Sequence, residues 1–228
     1  MVKVTFIGHS CFAIDNGKYN LLVDPFIKGN PMAKTSPENL KADYILVTHG
    51  HGDHLGDAIE IAQKHDAAVI SNFELCTYCG SQGIEKIHPM HIGGGKKMPF
   101  GSVKLTIAHH GSTLGNSGGY GGNPVGYIIR IDDKVIYHAG DTGLFLDMKL
   151  IGELDKIDLA LLPIGGNFTM DIADAVRAAE FLNPKLAIPM HYNTFDLIAC
   201  NPDDFIKGLK KIGLEGIILK PGESHDLI

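Results

Sequence analysis

Apolar and polar positions trade places from the first residues onward, and the rhythm predicts how the chain begins. Residues 2–7 read as a strand, and 11–14 and 19–23 as a hairpin across Asp15-Asn16-Gly17-Lys18, where Asn-Gly supplies the positive φ angles of a tight turn. Tyr44-Ile45-Leu46-Val47 is a short unbroken apolar run, the pattern of a strand covered on both faces. After His54 the period lengthens: Ala58, Ile61 and Ala62 recur at helical spacing and predict an amphipathic helix. Residues 67–70 and 103–108 predict further strands, and the stretches His91-Ile92-Gly93-Gly94-Gly95 and Met98-Pro99-Phe100-Gly101 between them read as loop. Residues 114–123 carry five glycines and two asparagines with little apolar content, so they read as a loop bordering an active site.

The second half opens the same way. Residues 125–131 and 135–137 predict a hairpin across Asp132-Asp133-Lys134, and 157–162 a buried strand ended by Pro163. Residues 169–182 are the clearest helix, with Ile172, Ala175, Val176, Ala179 and Leu182 on one stripe and Asn183-Pro184 as the stop. A strand at 186–190, a helix at 202–212 and a last strand at 216–219 complete the pattern. No strong internal repeat is visible, though each half runs a strand into a turn rich in His and Asp. Antiparallel hairpins followed by α/β alternation predict an α/β (α+β) arrangement of two packed sheets with helices outside.

Composition narrows the field. The 228 residues are expected to fill one domain, 1–228, and 44% hydrophobic with 20% charged residues is the balance of a chain with a substantial core. The formal net charge of −6 offers no footprint for nucleic acid. No stretch reaches the roughly 18 apolar residues of a membrane helix, and Met1-Val2-Lys3-Val4 runs straight into a strand without a signal peptide, so a cytoplasmic location is expected. Cys11, Cys76, Cys79 and Cys200 are too few to staple a chain of this length. Cys76-Thr77-Tyr78-Cys79 lacks the second C-x-x-C of a zinc knuckle, and at helical spacing it places two small apolar thiols on one face of a short helix over 72–79.

Twelve histidines change the picture. Thr48-His49-Gly50-His51-Gly52-Asp53-His54 lies between the buried run at 44–47 and the helix after it, and it holds four potential metal ligands. At a strand end, side chains two apart point the same way, so His49 and His51 can grip one ion while the turn through Gly52 presents Asp53 and His54 to a second. Solvated loop residues of this composition beside a buried strand are the weaker explanation.

This H-x-H-x-D-H run resembles the signature of the metallo-β-lactamase superfamily, whose αββα four-layer sandwich becomes the expected fold. Further ligands that the resemblance implies occur in order: His110 in Ala108-His109-His110-Gly111-Ser112, Asp141 in His138-Ala139-Gly140-Asp141-Thr142-Gly143, and His191 in Ile188-Pro189-Met190-His191-Tyr192. The resemblance assigns His49, His51 and His110 to a first metal, Asp53, His54 and His191 to a second, and Asp141 to both, with Asp53, His54 and Asp141 as the catalytic set. His110 is preferred to His109 for the Gly-Ser that follows it and for strand alternation. Di-iron oxygen reductases of similar motif carry glutamate at the place of His51, which counts against oxygen chemistry.

Within that superfamily the chain is most similar to small metal-dependent hydrolases related to ascorbate-phosphate lactonase. Gly8-His9-Ser10, Leu22-Val23-Asp24-Pro25-Phe26, Asn167-Phe168-Thr169-Met170 and His191-Tyr192-Asn193-Thr194-Phe195 carry the likeness. Gly166 stands where an aspartate is usual and Asp171 where a glycine is usual. The implied activity is a dinuclear hydrolase acting on a small ester, lactone or phosphoester. Two divalent ions, zinc or alternatively manganese, sit about 3.5 to 4 Å apart in such sites and activate a water. A phosphodiesterase or nuclease of the same superfamily and a non-catalytic metal-binding protein are the competing expectations. Asp24 is a candidate for orienting a ligand imidazole and His9 for touching substrate. His88, His91, His109, His138 and His225 are expected to be structural, Ser112 and Thr142 to finish turns or meet substrate, and Lys96-Lys97 to tip a loop. A small-molecule substrate and a possible homo-oligomer, with neither nucleic acid nor membrane, complete the expectations.

Overall fold

The computed structural model describes residues 1–115 and 118–228, so the loop expected at 114–123 falls partly outside the described residues. A seven-stranded sheet runs in the order β15-β1-β2-β3-β4-β5-β6. Its strands are β1 (Val2–Gly8), β2 (Cys11–Asp15), β3 (Asn20–Val23), β4 (Tyr44–Leu46), β5 (Ala68–Asn72), β6 (Ile87–Met90) and β15 (Ser224–Leu227). A six-stranded sheet runs β14-β13-β12-β11-β8-β7, built from β7 (Gly95–Met98), β8 (Gly101–Ile107), β11 (Val125–Ile131), β12 (Lys134–His138), β13 (Leu159–Pro163) and β14 (Leu186–Met190). A short ribbon of β9 (Thr113–Leu114) and β10 (Gly119–Tyr120) stands apart.

Consecutive side chains of the first sheet divide between two cores. Phe6, Phe12, Ile14, Leu21, Val23, Leu46 and Ile70 face the second sheet, while their neighbours Ile7, Cys11, Leu22, Ile45, Val47 and Val69 face outward. The outward set is covered by α2 (Ala58–His65) and α3 (Phe73–Ser81) through Ala58, Ile61, Ala62, Leu75 and Cys79. On the far side α4 (Asp147–Leu154), α5 (Ile172–Leu182) and α6 (Pro202–Lys211) cover the second sheet, with Met148, Ala175, Ala178, Leu182, Phe205 and Leu209 buried. The layers run helix, sheet, sheet, helix, the expected αββα order. Among the described residues no helix is long and apolar enough to cross a membrane.

Several elements depart from the pattern expected. Residues 87–90 and 95–98 are strands, and Lys96-Lys97 lies on the exposed edge strand β7, not on a loop tip; lysines on an edge discourage pairing with another sheet. Residues 216–219 make only a single bridge, Gly216 to Ala187, and the last strand is β15, paired antiparallel with β1. No element is expected at 147–154, where α4 forms. The helix expected from 169 starts at Ile172, because Asp171 caps it by accepting the Asp174 N–H at 2.9 Å. Cys76 and Cys79 are both buried, on α3.

Strand direction positions the site. β1 and β3 run parallel through antiparallel β2, and β4 continues parallel to β3. In the other sheet β8, β12, β13 and β14 share one direction. Their carboxyl ends release His9, Asp24, His49, His110, Asp141 and His191. The two sets are joined by the Val125 N–H donating to Thr48 O at 3.0 Å and the His191 N–H donating to His9 O at 2.9 Å.

Candidate metal centre

β4 ends at Leu46, and Thr48 and His49, both fully buried, lead into a single-turn helix α1 (Gly52–Leu55) that carries Asp53 and His54. Gly56 closes that helix: a Cβ there would lie 2.5 Å from Pro25 O, so only glycine lets the turn after β3 pack against it. The close approach places Asp24 under the motif. Its Oδ1 accepts the Thr48 N–H and its Oδ2 accepts the Thr48 hydroxyl and Nδ1–H of His54, each at 2.8 Å.

These contacts set the tautomers. With its hydroxyl hydrogen given to Asp24, Thr48 Oγ1 accepts Nδ1–H of His49 at 2.9 Å. His49 and His54 therefore both turn Nε2 inward, and that of His49, a ring that burial keeps neutral, is unprotonated. His49 Nε2 lies 3.0 Å from His51 Nδ1, and the rings of His49, His51 and His110 form a cluster with centroids 4.6 to 5.1 Å apart. His54 Nε2 lies 3.2 Å from Asp141 Oδ1, yet both atoms are buried without a hydrogen bond, as is His191 Nδ1. The other oxygen of Asp141 is 2.9 Å from His191 Nε2 and 3.5 Å from His110 Nε2.

A lone pair and a carboxylate oxygen facing each other at 3.2 Å repel unless a cation or a proton lies between them, so these donors fit a metal. The electrostatics agree. Burial opposes charge on His54, but Asp141 and Asp24 outweigh it and hold the imidazole's pKa well above its ordinary value, so positive charge is favoured between His54 and Asp141, as a proton on the metal-free ring or as a metal ion in its place. Burial likewise pushes Asp141 up, and His191 and His54 overcome it, so its carboxyl sits well below the usual range. Burial lowers His49, His51 and His110, which favours the neutral rings that ligate metals. Among the described residues, three groups have their donor atoms within 4.8 Å of one another: His49, His51 and His110; His49, His54 and Asp141; and His9, Asp53, His54 and His191.

All seven residues expected as ligands meet here, and His110, not His109, faces Asp141. His109 is exposed and stacks on Phe145, with planes 6° apart. His9 is deeper than expected of a residue touching substrate: it is fully buried, with Nε2 3.2 Å from Asp53 Oδ2 and Nδ1 2.8 Å from Thr194 Oγ1. Burial lowers its pKa to about 4, so the neutral ring donates Nε2–H to Asp53 and accepts the Thr194 hydroxyl. Burial raises Asp53, but the bond from His9 and the nearby His54 outweigh it and hold the carboxyl below its usual range. Thr48 and Thr194 had no role expected of them; only contacts across the fold reveal them. Ser112 and Thr142 finish turns, Ser112 donating to Gly121 O at 3.0 Å and Thr142 to Gly143 O at 2.8 Å. His138 is structural, its Nε2 2.9 Å from Ser10 O. His51, Asp53, His110, Asp141, Phe168 and His191 line a cleft of about 220 Å³.

Two facing sheets that converge histidines and a shared aspartate on such a cleft define a metal-dependent hydrolase of the metallo-β-lactamase class. A family described as the beta-lactamase superfamily domain matches residues 3–191. The UPF0173 metal-dependent hydrolase of Carboxydothermus hydrogenoformans is 50% identical over 223 residues, 97% of this chain and 98% of that one. A protein of the same description from a Geobacillus species is 52% identical over 229 residues, 99% of this chain and all of that one. The solved structure of Igni18, a metallo hydrolase of the archaeon Ignicoccus hospitalis, superposes with a TM-score of 0.90 at 39% identity, covering 98% of this chain and 97% of that one. The chain belongs to the UPF0173 metal-dependent hydrolase family of the β-lactamase superfamily.

Proposed function

We propose that the protein is a dinuclear metal-dependent hydrolase that uses an activated water on a small ester, lactone or phosphoester. One observation carries the reading: Asp141 lies between imidazoles of both donor sets, Oδ2 3.5 Å from His110 on one side and Oδ1 and Oδ2 3.2 and 2.9 Å from His54 and His191 on the other, so one carboxylate spans both. His49, His51 and His110 would hold one ion, Asp53, His54 and His191 the other, and Asp141 both. Zinc suits the imidazole-rich donors, with manganese the alternative where water completes the coordination. Bound there, such ions supply a Lewis acid and lower the pKa of water from about 15.7 towards about 7.

The chain's own groups explain why water is the nucleophile. No Ser, Thr, Cys, Lys or Tyr is among the described residues lining the cleft. Asp24 and Thr48 hold two imidazoles in the tautomer that turns Nε2 inward, and His9 holds Asp53 ionised at the wall. The test is elemental analysis of the purified protein together with turnover of a lactone, a carboxylic ester and a phosphodiester. Two divalent ions per chain and turnover abolished by a chelator are expected. Protein without a stoichiometric divalent ion, or turnover indifferent to chelation, sinks the reading. Metal without turnover favours the non-catalytic protein, and phosphodiester turnover alone favours the nuclease branch.

A further inference from the structure

The cleft has one wall that is neither imidazole nor carboxylate, the ring of Phe168. Its backbone is pinned. Gly166 and Asn167 both adopt left-handed conformations, with φ of 66° and 52°. The Gly166 N–H donates to Met170 O at 3.0 Å and the Met170 N–H to Thr142 O at 2.9 Å, with Met170 fully buried. The turn thus lifts Phe168, a residue that remains 51% exposed, and fixes it at the mouth. Glycine and asparagine adopt this conformation at little cost, so the turn is one that the sequence itself favours.

Phe168 does not stand alone. β13 and β14 are parallel neighbours, so the turns that follow them leave the sheet side by side. The second turn carries Phe195, 42% exposed, whose ring lies 5.6 Å from His9 and 6.4 Å from Phe26. Scattered exposed apolar side chains are ordinary, but aromatic rings on two adjacent turns beside a cleft form a surface that apolar groups bind.

Charge at the mouth is of one sign. No Lys or Arg is among the described residues lining the cleft. Asp171 stands beside the Phe168 turn, its Cβ 3.6 Å from where a Cβ of Gly166 would be, and its carboxylate occupies the amino end of α5 by accepting the Asp174 N–H. The helix end that would otherwise attract an anion is already filled by a negative group. Metal ions can neutralise a group undergoing reaction, but a second anionic group on the substrate finds no partner here.

Resting on the dinuclear hydrolase reading, we propose that the substrate is an uncharged carboxylic ester or lactone whose aromatic or bulky apolar group lies against Phe168, and that phosphate- or carboxylate-bearing substrates are rejected. The test compares the metal-loaded protein on three esters of one leaving group, the phenylacetyl, acetyl and hemisuccinyl esters of p-nitrophenol. The expected order of kcat/KM is phenylacetyl, acetyl, hemisuccinyl, with about tenfold or more between first and last. Phe168→Ala is expected to collapse the phenylacetyl-to-acetyl ratio by about tenfold, mainly through KM, and Phe168→Leu to restore part of it. Asp171→Asn is expected to narrow the gap to the hemisuccinyl ester. An equal or better rate on the hemisuccinyl ester, or a ratio that Phe168→Ala leaves unmoved, overturns this inference while the hydrolase reading stands. No turnover of the three esters by metal-loaded protein overturns this inference, and the hydrolase reading falls with it only if the lactone and the phosphodiester are left intact as well.

Discussion

Asp24 Oδ2 lies 2.8 Å from Nδ1 of His54, and both side chains are fully buried although thirty residues separate them. The contact exists because β3 and β4 pair in parallel and release Asp24 and the His-rich turn at the same end. The same carboxylate reaches His49 through the Thr48 hydroxyl, so one acid sets the tautomers of two imidazoles. Orienting groups of this kind contribute about 10- to 100-fold in metal affinity. Asp24→Asn, read by chelator competition, is expected to weaken metal binding by about that factor. Thr48→Val is expected to weaken it less, acting on His49 through a single bond, and Thr48→Ser to restore it.

His9 makes the metal-free protein sensitive to acid. Its pKa is lowered to about 4 in the folded chain against an ordinary 6.5, so between those values the unfolded chain takes up a proton that the folded one refuses. Stability therefore falls as pH falls from 6.5 towards 4, by up to about 3 kcal/mol from this group. His49, His51 and His110 act in the same direction. Chelator-treated protein unfolded in urea at pH 7 and pH 4.5 is expected to show the loss, and His9→Gln to show a smaller one. An equal pH dependence in the variant would mean that His9 titrates normally.

How much of this was visible in the sequence depends on how local each cause is. The H-x-H-x-D-H turn follows a strand whose apolar run announces it, so its cluster of donors is legible locally; His110, Asp141 and His191 also follow strands, but only the resemblance to the metallo-β-lactamase superfamily marks them as ligands. His9, Asp24 and His191 share another property, left-handed backbone with φ of 59°, 46° and 53°. No pattern in the chain marks such residues, because neighbouring strands impose the conformation. The roles of Thr48 and Thr194 arise from contacts across 24 and 185 residues. β15 escaped for a related reason: Ser-His-Asp-Leu has no apolar alternation, and pairing with the edge of β1 alone makes it a strand.

Tyr127 ties the two sheets together next to the site. Its hydroxyl, fully buried on β11, lies 2.7 Å from Val47 O and 2.9 Å from Ile70 O of the other sheet. Both carbonyls keep a partner without it, Val47 O from Ser71 Oγ and Ile70 O from the Val47 N–H. Tyr127→Phe should then cost no more than a single net hydrogen bond, about 1 kcal/mol, with no orphaned acceptor to add to it. Urea unfolding is expected to show a lower midpoint with unchanged slope.

The thiols of α3 should be inert. Burial raises Cys76 to about 12 and Cys79 to about 11, leaving almost no thiolate at pH 8. Alkylation of the native protein at pH 8, followed by mass spectrometry, is expected to leave both unmodified until denaturant is added. Rapid modification of either in folded protein would contradict their placement on the covered face of the helix.

Asp141 separates a bridging carboxylate from one that merely orients. A group that acts only through another ligand costs about 100-fold at most when its charge is removed. A bridge costs more, since each ion loses a ligand and the repulsion between the ions is no longer offset by the negative charge between them. Asp141→Asn keeps the shape of the side chain and removes that charge. The variant is expected to fold, by circular dichroism, to retain at most one divalent ion per chain, and to lose hydrolysis by well over about 100-fold. The single variants His49→Gln and His191→Gln should each cost one ion, and from opposite sides of Asp141. If Asp141→Asn still holds two ions with affinity within about tenfold of the parent, the carboxylate is an orienting neighbour and the dinuclear assignment loses the observation on which it stands.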